Sequence, residues 1–216
     1  RNGLTVYFFD VGNGDSIFVQ AENGNQILID GGPGDAVLAE LGEVMPFYDR
    51  SIDMLILTHP DADHLDGLIE VLERYTIKHI LTTGVLHETA QYAEWQERIA
   101  KYNIPVTYAV AGKTFQAAGD IIFTILSPFR ILAGIDPVDV NDTSVVLRMD
   151  YGEISFLFTG DIEARTERML AILAADDIDV DILKVAHHGS KTSSDLKRSD
   201  SSQSCSGIYR LAYGRN

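Results

Sequence analysis

Thr58-His59-Pro60-Asp61-Ala62-Asp63-His64-Leu65-Asp66-Gly67 gathers two imidazoles and three carboxylates within eight residues. It follows Met54–Leu57, a short apolar run expected to form a buried strand. Loops at strand ends are where rigid scaffolds carry their chemistry. In an extended loop alternate side chains point the same way, so His59, Asp61 and Asp63 can converge. His64, at the start of the following helix, can then bind a second metal beside Asp63. Imidazole with carboxylate is a ligand set for Zn²⁺, Mn²⁺ or Fe. One such residue alone is ordinarily a helix cap or a solvated side chain. Several neighbouring carboxylates repel one another unless cations offset them, and this favours a metal cluster.

Two later segments supply partners. Phe156–Thr159 is an apolar strand that runs through Gly160 into Asp161, which can cap a helix over 161–174, bridge two metals, or do both. Ile182–Ala186 ends in His187-His188-Gly189-Ser190. Adjacent histidines on an extended chain diverge, so one can bind metal while the other faces substrate; the sequence leaves open which. His79 and His87 are expected to be structural or surface residues. Asp10 and Asp15 flank a Gly-rich turn, and site lining and turn formation explain them equally well.

Around these motifs the pattern alternates strands and helices. Leu4–Phe9, Ser16–Gln20 and Gln26–Ile29 read as strands separated by Gly-rich turns. Residues 35–47 read as a helix, followed by the strand Met54–Leu57 and a helix over Gly67–Arg74. Lys78–Leu81 is a strand and Ala90–Tyr102 a helix. Val106–Val110 and Ile121–Leu126 are strands. Ser144–Asp150 and Ile154–Thr159 form a hairpin, and Asp181–Ala186 is the last strand. This α/β order suits two sheets packed face to face with helices outside. One hydrolase-like domain is expected over 1–194, with an irregular tail over 195–216.

Composition narrows the class. The 216 residues are 45% apolar, enough for a large core. No run of about 18 apolar residues spans a membrane. The single cysteine, Cys205, makes neither an internal disulfide nor a Cys-x-x-Cys metal site, so any metal must use His, Asp or Glu. The net charge of −15 disfavours non-specific duplex binding. Bound cations can still reverse the local field for an anionic substrate. The chain enters a strand-like run almost at once, as expected of a piece excised from a longer protein.

Taken together, the motifs resemble the metallo-β-lactamase superfamily, and within it the C-terminal hydrolase-like domain of the ComEC family of DNA-uptake (competence) proteins. The resemblance runs from about Val6 to Ser194. It rests on Phe9-Asp10-Val11-Gly12-Asn13-Gly14-Asp15-Ser16, Ile27–Gly32, Thr58–Gly67, Asn141-Asp142-Thr143-Ser144, Thr159-Gly160-Asp161 and His187-His188-Gly189-Ser190. It implies a four-layer αββα sandwich with the site at one edge of the sheets. His59, Asp61 and Asp161 would hold one metal. Asp63, His64, Asp161 and one of His187 and His188 would hold the other. The chain departs from the family in having Asp61 where many members have His, and in lacking a His near Asn141–Ser144. Both departures make the first site harder, which tilts the two divalent cofactors from Zn²⁺ toward Mn²⁺ or leaves that site partly occupied. The tail after Ser194 lacks the family's usual continuation.

The implied activity is two-metal hydrolysis of a phosphodiester, with Asp63 or Asp161 orienting the attacking water and accepting its proton. Asn141, Ser144 and Ser190 are the candidate donors to substrate oxygens. Single-stranded DNA, the strand not imported during uptake, is the expected substrate. No basic stripe or aromatic series marks a DNA track, so tethering to a membrane channel would have to raise the effective concentration. The expected setting is an extracytoplasmic domain of a bacterial membrane protein, or otherwise a cytoplasmic one. A small phosphoester or thioester hydrolase, and a non-enzymatic metal-braced module of an uptake channel, are the alternatives.

Overall fold

A computed structural model describes residues 3–118 and 120–193. The expected tail over 195–216, and Cys205 within it, lie outside these residues. In chain order the strands are β1 (Thr5–Phe8), β2 (Ile17–Gln20), β3 (Gln26–Ile29), β4 (Ser51–Ile52), β5 (Met54–Leu57), β6 (Thr76–Ile77), β7 (Ile80–Thr82) and β8 (Val106–Tyr108). They continue with β9 (Thr114–Ala118), β10 (Ile121–Ser127), β11 (Val146–Tyr151), β12 (Ile154–Phe158) and β13 (Ile182–Lys184). The helices are α1 (Ala36–Val44), α2 (Ala62–Arg74), α3 (Ala90–Tyr102) and α4 (Ala164–Leu173).

The first sheet runs β1-β2-β3-β5-β7-β8, antiparallel through β3 and parallel from there on. The second runs β13-β12-β11-β10-β9, antiparallel except for the parallel pair β12–β13. β4 and β6 make a separate two-stranded ribbon.

Strand alternation sorts the apolar side chains into layers. Ile17, Val19, Ile27, Ile29 and Ile56 face Phe123, Ile125, Leu147, Met149 and Phe158 between the sheets. Phe18, Leu28, Leu55 and Leu57 point the other way, against Val37 and Leu41 of α1, Leu65 and Leu68 of α2 and Trp95 of α3. On the far side Val146 and Leu157 meet Leu170 of α4. The period of two within each strand thus produces an αββα sandwich with three apolar interfaces.

Several boundaries differ from expectation. α2 begins at Ala62 rather than Gly67, so Asp63 sits on its first turn instead of in an extended loop, with His64 beside it at the helix start as expected. α4 begins at Ala164 with Glu163 at its N-cap, so Asp161 is not the cap residue. β13 stops at Lys184, and a short 3₁₀ turn over Ala186–Gly189 replaces the expected extension. β4, β6 and β9 carry too short or too mixed a pattern to be read from sequence.

Candidate metal centre

The site lies where β3, β5, β12 and β13 end, at one edge of both sheets. Val145 donates its backbone N–H to Thr58 O at 3.0 Å and ties the two sheets together there. Turns leaving these parallel strands bring distant residues to one place.

The placement of His64 begins with glycine. Gly31 donates its N–H to His64 O (2.8 Å), and Gly67 donates to Gly32 O (3.0 Å). A Cβ on Gly67 would lie 2.0 Å from Gly31 O, and one on Gly31 would lie 2.3 Å from Leu68 N. Only backbone fits between this turn and α2. The close approach seats the His64 ring over Asp30, with Nδ1 2.8 Å from Asp30 Oδ2.

Asp30 anchors a second ring as well. Thr58 donates to it twice, from its backbone N–H (2.8 Å) and from Oγ1 (2.7 Å). Because that hydroxyl donates to Asp30, it accepts from His59 Nδ1 at 3.1 Å. Both imidazoles therefore have Nδ1 engaged on the Asp30 side, which turns both Nε2 atoms toward the centre. The two rings lie 4.2 Å apart between centroids. His59 Nε2 and His64 Nε2 are buried and make no hydrogen bond. Buried imidazole nitrogens without partners are costly unless something else binds them.

Carboxylates surround these nitrogens. Asp161 Oδ2 lies 3.3 Å from His64 Nε2 and 3.1 Å from His188 Nε2. His188 Nδ1 lies 3.4 Å from Asp15 Oδ1, and its Nε2 lies 3.7 Å from Asp63 Oδ2. Asp15, His64, Asp161 and His188 offer ligand atoms all within 4.8 Å of one another. Asp61 stands at the other end, 3.7 Å from His59 Nε2 and 3.9 Å from His87 Nε2.

The electrostatics record this crowding. Burial, with His64 beside it, holds His59 well below the ordinary imidazole range, so it is neutral. Burial also works against a charged His64, yet Asp30, Asp161 and Asp15 overcome it and push its pKa up to about 10. Asp15, Asp161 and Asp63 raise His188 to about 11. Burial opposes ionisation of Asp161, but His188, His64 and Lys184 hold it far below the usual carboxylate range. Asp63 is lowered chiefly by His188, whereas burial raises Asp61. With no metal present, protons on His64 and His188 offset the neighbouring acids. A divalent cation would replace those protons, and the converging Nε2 atoms and carboxylate oxygens form a donor set that fits one.

The paired histidines separate. Both adopt left-handed backbone conformations (φ 47° and 51°) instead of the expected extended one. Their rings stand 83° apart. His188 faces the carboxylates, while His187 turns to Glu163 Oε1 (3.7 Å) and Thr192. Among the three candidate substrate donors, Ser144 is fully buried. Its hydroxyl donates to Asn141 O (2.7 Å) and accepts from Asp161 N–H (3.1 Å), so it fixes the Asp161 backbone rather than facing solvent. Asn141 lies on the same short turn, and Ser190 pairs with Thr192 Oγ1 at 3.0 Å.

Sequence reasoning left out Asp30 and Lys184, read His87 as a structural or surface residue, and left Asp15 undecided. A lysine inside the apolar run Asp181–Ala186 was the available signal for Lys184. His87 carried none, because its approach to Asp61 depends on the path of the loop after β7. His79 pairs with Thr107, away from the site.

The model of the Metallo-beta-lactamase superfamily matches residues 9–200. Recombination protein 2 of Haemophilus influenzae is 33% identical over 189 residues, covering 85% of this chain and 21% of that protein. ComE operon protein 3 of Bacillus subtilis is 30% identical over 205 residues, covering 87% and 26%. The chain thus spans about a quarter or less of the length of these curated relatives. Among solved structures, the Rm3 metallo-beta-lactamase superposes with a TM-score of 0.54 at 17% identity, covering 87% of this chain and 77% of that one. The diiron β-hydroxylase CmlA from Streptomyces venezuelae gives 0.53 at 20% identity, covering 85% and 34%. At these identities the superpositions speak to the fold.

Proposed function

Because the chain belongs to the metallo-β-lactamase superfamily, we propose that it is a metal-dependent phosphodiesterase that cuts DNA, as a domain of a competence protein. The carrying observation is that the buried Nε2 atoms of His59 and His64 point into a carboxylate cluster, with Asp61 3.7 Å from the first and Asp161 3.3 Å from the second. The DNA substrate, the extracytoplasmic setting and attachment to a membrane channel rest on the similarity to competence proteins. No helix among the described residues is long and apolar enough to cross a membrane.

His64, His188, Asp63 and Asp161 would hold one divalent cation, and His59 and Asp61, with Asp161 shared, a second. When bound, Mn²⁺ or Zn²⁺ there supplies Lewis-acid activation of a water and of the phosphoryl oxygen. The chain's own residues set up the rest. Asp30 fixes both imidazoles, and Ser144 fixes the backbone of Asp161. Asn13 donates to Asp63 Oδ2 at 3.0 Å and holds that half-exposed carboxylate at the rim. Asp63 or Asp161 would accept the proton of the attacking water. Ser190 and Asn141 would donate to substrate oxygens.

The test is turnover of single-stranded DNA with added Mn²⁺, run beside duplex DNA, a small phosphodiester and a thioester. Mn²⁺-dependent cleavage of single strands that disappears in Asp161→Asn, with the variant still folded, is the expected result. Turnover of the thioester alone would replace the substrate class. Metal binding without turnover of any of them would favour a bracing role.

A further inference from the structure

Lys184 stands in the centre although nothing in the metal-binding reading requires it. The register of β13 explains how it comes to be there. Lys184 pairs with Phe158 across the β12–β13 ladder and shares its strand face with Ile182, which packs between the sheets. Leu183 points the other way and is exposed. The Lys184 side chain is therefore directed inward and is only 9% exposed.

A lysine so placed needs partners, and it has three. Its ammonium is ion-paired with Asp15 Oδ2, lies 3.4 Å from Asp161 Oδ1 and donates to Gly160 O at 3.0 Å. Asp15 and Asp161 are also two of the four residues whose ligand atoms cluster within 4.8 Å. Among the described residues no other Lys or Arg pairs with Asp15, Asp61, Asp63 or Asp161.

We propose that Lys184 is a resident cation of the centre. Its ammonium fills the place between Asp15 and Asp161 that a divalent ion would otherwise take, and so keeps Asp15 out of the metal's ligand set. The inference rests on the proposed metal-binding reading and adds a limit to it: the native centre binds divalent cations less tightly than its carboxylates alone would allow. Like charges within a few ångströms repel strongly in a partly buried site, so removing the ammonium strengthens divalent binding. A lysine that merely braces β13 against β12 predicts no such gain.

The test is calorimetric titration with Mn²⁺ of the wild type, Lys184→Met, Lys184→Gln and the double variant Asp15→Asn/Lys184→Met. Lys184→Gln keeps a donor for the Gly160 carbonyl and serves if Lys184→Met does not fold. Both single variants are expected to bind Mn²⁺ about tenfold tighter or more, or to take up an additional ion. The double variant is expected to lose that gain, because Asp15 is then no longer a free carboxylate. Equal or weaker binding by the single variants overturns the inference. A wild type that binds no Mn²⁺ beside a variant that does would keep the inference and overturn metal dependence of the native chain. Absence of binding in all of them overturns both.

Discussion

His64 Nδ1 lies 2.8 Å from Asp30 Oδ2, and this one contact decides which ring nitrogen the centre receives. The carboxylate also holds Thr58, and Thr58 in turn holds His59. Asp30→Asn leaves the chain's fold intact but loosens both rings. We expect Mn²⁺ affinity to fall roughly 10–100-fold, the usual cost of losing an outer partner of a metal-binding histidine. Titration of the two proteins checks this, and unchanged affinity would remove Asp30 from the account.

Gly67→Ala isolates the backbone contact beneath His64. Intrinsic helix propensity alone would make this substitution favourable by about 1 kcal/mol. The added Cβ would lie 2.0 Å from Gly31 O, a backbone atom that cannot rotate away. A net loss of about 1–3 kcal/mol in unfolding free energy is expected, as for overpacked sites. Denaturant unfolding with the metal removed reads it; a stabilised variant would show that α2 does not need this approach.

The two neighbouring histidines should behave differently. His188→Ala removes the ring that faces Asp15, Asp63 and Asp161, and is expected to weaken metal binding about 100-fold or more, at least as much as loss of an outer partner. His187→Ala removes a ring that faces Glu163 and should leave affinity within a few-fold of wild type. Reversed effects would mean that the turn over Ala186–Gly189 is set the other way round.

Stability of the metal-free chain should fall as pH rises. His64 and His188 have folded pKa values of about 10 and about 11, against an ordinary value near 6.5. A group raised on folding binds more protons in the native state, so its contribution is full below about pH 6.5. It shrinks above that and is gone once the folded pKa is passed. Between pH 6.5 and 9 the thermal midpoint in chelator should drop more for wild type than for His188→Gln. Metal affinity should move the opposite way and strengthen with pH, since the ligating rings must shed protons. A flat difference between the two proteins across this window contradicts the assignment.

The sandwich was legible because its signals are local and periodic. Ile27–Ile29 and Met54–Leu57 are continuous apolar runs, and each alternates between the two faces of one sheet. The Thr58–Gly67 motif was legible because so many carboxylates in one stretch need an offset. The start of α2 was not, since Asp61, Asp63 and Asp66 obscure helical periodicity, and the helix is held there by the close approach of its own Gly67 to Gly31, from another part of the chain. Asp30 and Lys184 read as turn and strand residues until the two sheets bring their ends together. The orientation of His188 depends on two consecutive left-handed residues, which no side-chain pattern announces.

The most direct measurement is an anomalous difference map from crystals soaked in Zn²⁺ or Mn²⁺. The account predicts a peak roughly 2.0–2.2 Å from His64 Nε2, His188 Nε2 and an Asp161 oxygen, with Lys184 still against Asp15. A fully soaked crystal with no peak there, or with the metal held only by surface carboxylates, would contradict it.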